Sequence, residues 1–303
     1  MTRGPIISLS DVSKSYGAFE LGPIDLDVEP GCVVAVVGPV GSGKSTLLKM
    51  LMNLVPPDSG EVSLFGGAFP EDEVAIKQKI GYAPERATGY EDLSPRTLRE
   101  LVSYFYPGWD QKAYEVPLSG TEIEEDRPFE ALSSGTQRLL IVALALAAGS
   151  ELLVLDEPTA GLDPFARSRV LAGISHFIAD ERHRNRTVVF ATHAMEDVRL
   201  IADHIAFLVD GQLLGLFETG ALQERWTAFW PERAPEGDIP GMVELDSDDP
   251  VRIVSDSPGE TAEELRARNI GVLRTGALEL EEILSHLMRQ RAEGRAGSPR
   301  ARE

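Results

Sequence analysis

Nine residues from Gly38 to Thr46, GPVGSGKST, have the types and spacing to hold a triphosphate. They match G-x-x-x-x-G-K-[ST] with Gly38, Gly43, Lys44 and Ser45 at the fixed positions. The glycines, Gly41 included, let successive backbone N–H groups curl around phosphate oxygens, with Ser42 and Thr46 in the same loop. A helix starting there adds positive potential. Lys44 is expected to reach the β- and γ-phosphates, and the Ser45 hydroxyl to ligate Mg²⁺. A second segment, LLVLDEPT at 152–159, delivers Asp156 at the end of an apolar run. There Asp156 can hold Mg²⁺ beside a bound nucleotide. Glu157 follows at once and is assigned as general base toward an attacking water, a role typically contributing about 10²–10⁴ in rate. The implied cofactors are ATP and Mg²⁺.

Three further segments decide what kind of nucleotide site this is. LSSGTQ, Leu132 to Gln137, precedes a long apolar run. Ser133 and Gly135 at a helix N-terminus can bind a phosphate. Taken alone, the segment is as readily a plain helix cap. A second phosphate site in one chain would be redundant, and makes sense if it serves a nucleotide held by another subunit. GLDP, Gly161 to Pro164, places Asp163 after the acids. ATH, Ala191 to His193, ends another apolar run and brings His193 beside Glu157, where it could contact the γ-phosphate and orient water.

The elements that must position these groups are legible. Cys32–Val37, Leu152–Asp156 and Thr187–Ala191 read as buried parallel strands. Lys44–Leu54, Glu71–Lys79, Thr97–Tyr106, Thr136–Ala148 and Phe165–Ala179 read as helices, and Glu61–Phe65 and Ile80–Ala83 as strands. Ile205–Val209 and Gln212–Phe217 form a hairpin across Asp210-Gly211. Strands alternating with helices predict an α/β fold around a largely parallel sheet.

Composition narrows the class. The chain has 303 residues, 49 Asp+Glu against 29 Lys+Arg, and a net charge of −20. That charge argues against nucleic acid as a partner, because phosphate neutralisation supplies such affinity. The one cysteine, Cys32, excludes a disulfide framework and is expected to be a buried, inert thiol. His176, His183, His204 and His286 share no metal-ligand spacing and read as packing or surface residues. The N-terminal MTRGPIISLSD lacks the apolar stretch of a secretory signal. The longest apolar run, Leu139 to Ala148, is half the roughly 20 residues a bilayer-spanning helix needs. Between Pro231 and Glu264 eleven acids face two arginines. Apolar returns at Val251–Val254, Ile270–Leu273 and the helical stripe Leu280, Ile283, Leu284, Leu287 predict a small α/β appendage there, with a loosely folded acidic linker as the alternative.

The order and spacing of these segments resemble the ATP-binding-cassette (ABC) ATPases, the nucleotide-binding subunits of membrane transporters, over residues 6–217. GPVGSGKST resembles the Walker A loop, LLVLDE Walker B, LSSGTQ the signature, GLDP the D-loop and ATH the switch-histidine segment. The resemblance implies a P-loop NTPase fold with an antiparallel β-subdomain and a helical subdomain. It implies adenine stacking on Tyr16, and nucleotide contacts from Asp163 and from Glu85 in GYAPE, where the family places its Q-loop. Glu85 stands where Gln is usual and is counted with Ser45 and Asp156 as a metal ligand. Ser134, Thr136 and Val40 also depart from the usual residues.

The implied partners are a transmembrane permease and a second cassette. Two cassettes pair head-to-tail, each ATP lying between one Walker A loop and the other subunit's Ser133 and Gly135. VSYFYPGWD, Val102 to Asp110, is similar to export-type cassettes of the drug- and antibiotic-efflux kind. The expected location is cytoplasmic, on the inner face of the membrane through the permease. A soluble cassette in a nucleic-acid or regulatory complex is the alternative. The expected organisation is a nucleotide-binding domain at 1–217, an accessory domain at 218–291 and a disordered tail at 292–303.

Overall fold

Short apolar runs that read as doubly buried strands form the centre of a six-stranded sheet. The computed structural model describes residues 4–180, 185–292 and 294. In chain order the first unit contains β1 (Ile7–Tyr16), β2 (Phe19–Val28), β3 (Val33–Val37), α1 (Lys44–Leu51), β4 (Ser59–Leu64), β5 (Gly67–Ala68), α2 (Glu73–Lys77), β6 (Ile80–Ala83), α3 (Pro95–Phe105), α4 (Gln111–Leu118), α5 (Ser134–Ala147), β7 (Leu152–Asp156), α6 (Pro164–Ala179), β8 (Thr187–Thr192), α7 (Met195–Ile201), β9 (His204–Val209) and β10 (Gln212–Glu218). The second contains α8 (Thr219–Arg225), β11 (Thr227–Pro231), β12 (Met242–Asp246), β13 (Arg252–Ser255), α9 (Pro258–Ala267), β14 (Val272–Ala277) and α10 (Leu280–Ala292). Chain contacts divide the protein between Leu216 and Phe217, so the last two residues of β10 fall to the second unit.

The main sheet has the order β10-β9-β3-β8-β7-β6. The pairs β3–β8, β3–β9, β7–β8 and β6–β7 are parallel. All five residues of β3 and of β7 are buried, as strands covered on both faces must be. Val37 lies opposite Thr192, and Ala191 opposite Asp156. The C-terminal ends of three adjacent strands therefore release Gly38, Glu157 and His193 along one sheet edge, the edge where open α/β sheets bind ligands.

A second sheet, β2-β1-β4-β5, is antiparallel and shares its core with the first through Leu21, Ile24, Val34, Leu48 and Leu64. It is the antiparallel subdomain the resemblance implies. α3 and α4 form helical structure between Ala83 and α5, with Ser94 capping α3 and Asp110 capping α4.

The second unit is a four-stranded sheet, β12-β13-β11-β14, whose three pairings are antiparallel. Phe229, Ile239, Ile253, Leu265 and Ile270 form its core. Several acids of the 231–264 stretch have partners: Glu244 meets Arg289 at 2.6 Å and Glu264 meets Arg268 at 2.6 Å. The stretch is thus part of a folded unit rather than a linker. One edge strand, β12, carries Glu244, Asp246 and a register irregularity. The other, β14, exposes Val272 (40%) and Leu273 (68%) and carries no acid. The segment 292–303 lies outside the described residues except Ala292 and Gly294.

Candidate functional site

The Gly38–Thr46 loop is shaped by close approach. A Cβ on Gly38 would lie 1.8 Å from the Leu208 carbonyl oxygen, so no other residue fits. Gly43 adopts φ +103° immediately before α1, and no side chain caps that helix. Its first N–H groups are the kind that receive a phosphate. Lys44 is buried and donates from Nζ to the carbonyls of Gly38 (2.8 Å) and Pro39 (3.0 Å). Burial pulls the Lys44 pKa down, against the opposing pull of Glu157, Asp156 and Glu85. Gly41 takes φ +83° with open space beside it, Ser42 is buried, and Thr46 follows in the first turn of α1.

Asp156 ends β7 inside the protein. Ser45 Oγ donates to its Oδ1 at 3.1 Å, and its Oδ2 is buried without a hydrogen-bond partner. Burial raises the Asp156 pKa, and the Glu85 and Glu157 carboxylates push the same way. A buried carboxylate oxygen lacking a donor, beside a hydroxyl, fits a divalent cation. Mg²⁺ takes few protein ligands and completes its shell with water and phosphate. Among the described residues no group of three or more His, Cys, Asp or Glu could hold a metal ion. Glu85 itself is exposed, and no hydrogen bond joins its carboxylate to Ser45 or Asp156.

Glu157 takes φ +50°, with its N–H donating to Ala191 O at 2.9 Å. Its Oε2 lies 2.9 Å from His193 Nδ1. The Glu157 side chain is 14% exposed and that of His193 64%. A shielded carboxylate tied to a solvent-facing imidazole can take a proton from water and hold the water's other face.

Ser133 caps α5, accepting from Thr136 N at 3.1 Å, and Gly135 sits in its first turn. Neither is hydrogen-bonded to the Lys44 loop. Asp163 caps α6, accepting from Phe165 N (2.9 Å) and Ala166 N (3.0 Å), and both bonds hold its pKa down. Tyr16 ends β1 on the surface, with Lys14 Nζ 5.9 Å above its ring. The structure thus gathers Lys44, Ser45, Asp156, Glu157 and His193, and leaves Tyr16, Glu85, Ser133, Gly135 and Asp163 on the exposed surface around them or in the helix starts.

Sequence reasoning passed over Arg138. From α5 its guanidinium donates to Pro84 O (2.8 Å), Glu85 O and Asp156 O (3.3 Å). One side chain therefore joins the Glu85 segment, the end of β7 and the helix that Ser133 caps. A single arginine at the start of an otherwise apolar helix was the available signal. Cys32 is half-buried rather than fully buried. Its thiol is pushed up to about 11 by burial and by Asp203 and Glu29, which disfavours the nucleophilic thiolate. His286 is buried and stacked on Trp226 at 5.4 Å; His183 lies outside the described residues.

Similar proteins are known. The ABC transporter family profile matches residues 21–160. The Nod factor export ATP-binding protein I of Cupriavidus metallidurans is 31% identical over 217 residues, spanning 68% of this chain and 69% of that protein. The energy-coupling factor transporter ATP-binding protein EcfA2 of Ligilactobacillus salivarius is 34% identical over 219 residues, spanning 64% and 70%. A solved ATP-binding subunit of an ABC transporter superposes with a TM-score of 0.63 at 23% identity, covering 72% of this chain and 92% of that one, which shows the shared fold.

Proposed function

The chain belongs to the ABC transporter family as an ATP-binding subunit, and from that premise we propose that it hydrolyses ATP to drive a separate transmembrane permease in the export direction. The observation that carries the reading is the convergence of Lys44, Ser45, Asp156, Glu157 and His193 at the ends of three adjacent parallel strands.

Lys44 leaves its loop carbonyls to meet the β- and γ-phosphates, and the α1 N-terminus receives them on backbone N–H groups. Ser45 and Asp156 would hold Mg²⁺, which when bound would supply positive charge against the phosphate oxygens. Glu157 accepts the proton of the attacking water, and His193 fixes that water and the γ-phosphate relative to it. Tyr16 stacks on the adenine, and Glu85 lies over the γ-phosphate side.

Ser133 and Gly135 serve the nucleotide of a second cassette, identical or different, so ATP closes a head-to-tail dimer and hydrolysis releases it. Losing the γ-phosphate removes the charge both faces grip. Asp163 acts at the same junction through the start of α6.

The permease docks on an apolar cavity of about 370 Å³ lined by Tyr90, Leu98, Leu101, Phe105, Tyr106 and Ile141. Tyr90, Leu101 and Phe105 are exposed there, as a surface awaiting a partner would be. Among the described residues no helix is long and apolar enough to cross a membrane. Similarity to the Nod factor export protein of Cupriavidus metallidurans supports the export direction.

Glu157→Gln tests the mechanism. The variant keeps ATP binding, loses about 10²–10⁴ in turnover and accumulates ATP-bound dimers on size exclusion. Wild-type turnover in it would overturn the assignment.

A further inference from the structure

Two side chains near the catalytic pair meet in the interior. Thr159 follows Glu157 by two residues, and Asp197 follows His193 by four. Thr159 Oγ1 donates to Asp197 Oδ2 in a buried hydrogen bond. The other oxygen, Asp197 Oδ1, accepts from Arg167 Nε at 2.6 Å. Arg167 stands one turn into α6, the helix capped by Asp163, and also donates to Glu196 Oε2 at 2.6 Å. Asp197 is fully buried, at 0% exposure.

A buried charge is an expensive way to hold a fold together. Well-packed apolar residues of similar volume are often as stabilising or more so. What a carboxylate adds is direction, because its two oxygens fix two donors at set angles. Here the donors come from the segment after Glu157 and from α6, and the carboxylate comes from the helix after His193. The same segments supply the two halves of the Glu157–His193 pair at 2.9 Å. Glu157 also sits in the left-handed region, a conformation that persists when surroundings over-determine it.

We propose that Asp197 is a positioning residue for hydrolysis, clamping the Glu157 segment and α6 to the His193 segment through Thr159 and Arg167. The proposal rests on the reading of Glu157 as base and His193 as its partner. Its effect is geometric: misplacing a reacting group by about 1 Å can reduce the rate about 10²-fold. The clamp's hydrogen bonds join Thr159, Asp197, Arg167 and Glu196 and include no residue of the Lys44 loop, so it governs the chemical step rather than nucleotide affinity.

Thr159→Val removes the hydroxyl and keeps the shape, whereas Thr159→Ser keeps the hydroxyl. Steady-state ATP hydrolysis is measured for both, with thermal unfolding alongside. Thr159→Val should lower kcat roughly 10-fold or more with the KM for ATP within about twofold, and Thr159→Ser should stay within about twofold of wild type in both. A Thr159→Val enzyme with wild-type kcat overturns the proposal. So does a Thr159→Ser enzyme as slow as Thr159→Val, since the loss would then follow packing. A rise in KM matching the fall in kcat overturns it as well. If Thr159→Val does not fold, Asp197→Asn keeps the volume and removes the charge facing Arg167; a kcat loss at unchanged KM then supports the clamp, and unchanged kcat overturns it. Wild type and Glu157→Gln run beside these variants: absent wild-type hydrolysis defeats the ATPase reading, whereas wild-type hydrolysis with an active Thr159→Val defeats the clamp alone.

Discussion

Burial moves Asp156 and Lys44 toward neutrality from opposite sides. The Asp156 pKa is raised by desolvation, so the folded protein binds that proton more tightly than the unfolded chain does. Ionised Asp156 therefore works against folding at neutral pH, and the penalty fades as pH falls through the raised value. Asp156→Asn should melt higher than wild type at pH 7.5, with the gap closing in acid, while Mg²⁺-dependent hydrolysis is lost; calorimetry and an ATPase assay read the two. Cys32, at about 11, is mostly thiol at pH 8. Its alkylation in the native protein should run about 100-fold slower than in denaturant, followed by intact mass. Most of this chemistry is readable from residue types, because phosphate loops and strand-end acids have fixed spacing. His193 beside the acids is readable too, from two strand ends, and the structure joins it to Glu157. The Thr159–Asp197 contact is not, since it joins positions far apart in sequence, outside any motif, that only strand order brings together.

Helix starts carry much of the proposed chemistry, and their caps can be tested as elements. Asp163 accepts two N–H bonds at the head of α6. Asp163→Ala should lower the midpoint of urea unfolding, and should also weaken ATP-dependent dimerisation. Legibility at this scale followed burial. β3 and β7 appear in the sequence because every residue is apolar and buried. β1 escaped the residue-level reading because polar residues and two register irregularities break its two-residue alternation; β2 was passed over although Ile24, Leu26 and Val28 alternate with Asp25 and Asp27. α4 escaped because Pro117 sits inside it, and α2 is shorter than its pattern suggested because no side chain caps it.

The whole chain pairs a nucleotide-handling unit with an acidic one that has its own core. Within the second, the Arg252 guanidinium, 2.7 Å from Glu282, holds that carboxyl below its ordinary value of 4.5. The stabilisation is fully present above about pH 4.5 and is lost as pH falls through the lowered value. Acid titration of wild type against Arg252→Met, followed by tryptophan fluorescence, should show the wild-type advantage disappearing below pH 4.5. That acids could build a unit and not merely solvate one was invisible in composition, because pairs such as Glu244 with Arg289 span the whole segment. The uncovered edge of that unit has a colloidal consequence. β14 offers Val272 and Leu273 with only Arg274 as a charged guard, so chains that collide there can zip strand to strand. What keeps them apart is mutual repulsion from a charge of −20, whose reach shrinks to about 10 Å at 0.1 M salt and about 3 Å at 1 M. Shelf life in concentrated stocks is therefore governed by ionic strength, and light scattering should climb with added sodium chloride in wild type but not in Leu273→Lys.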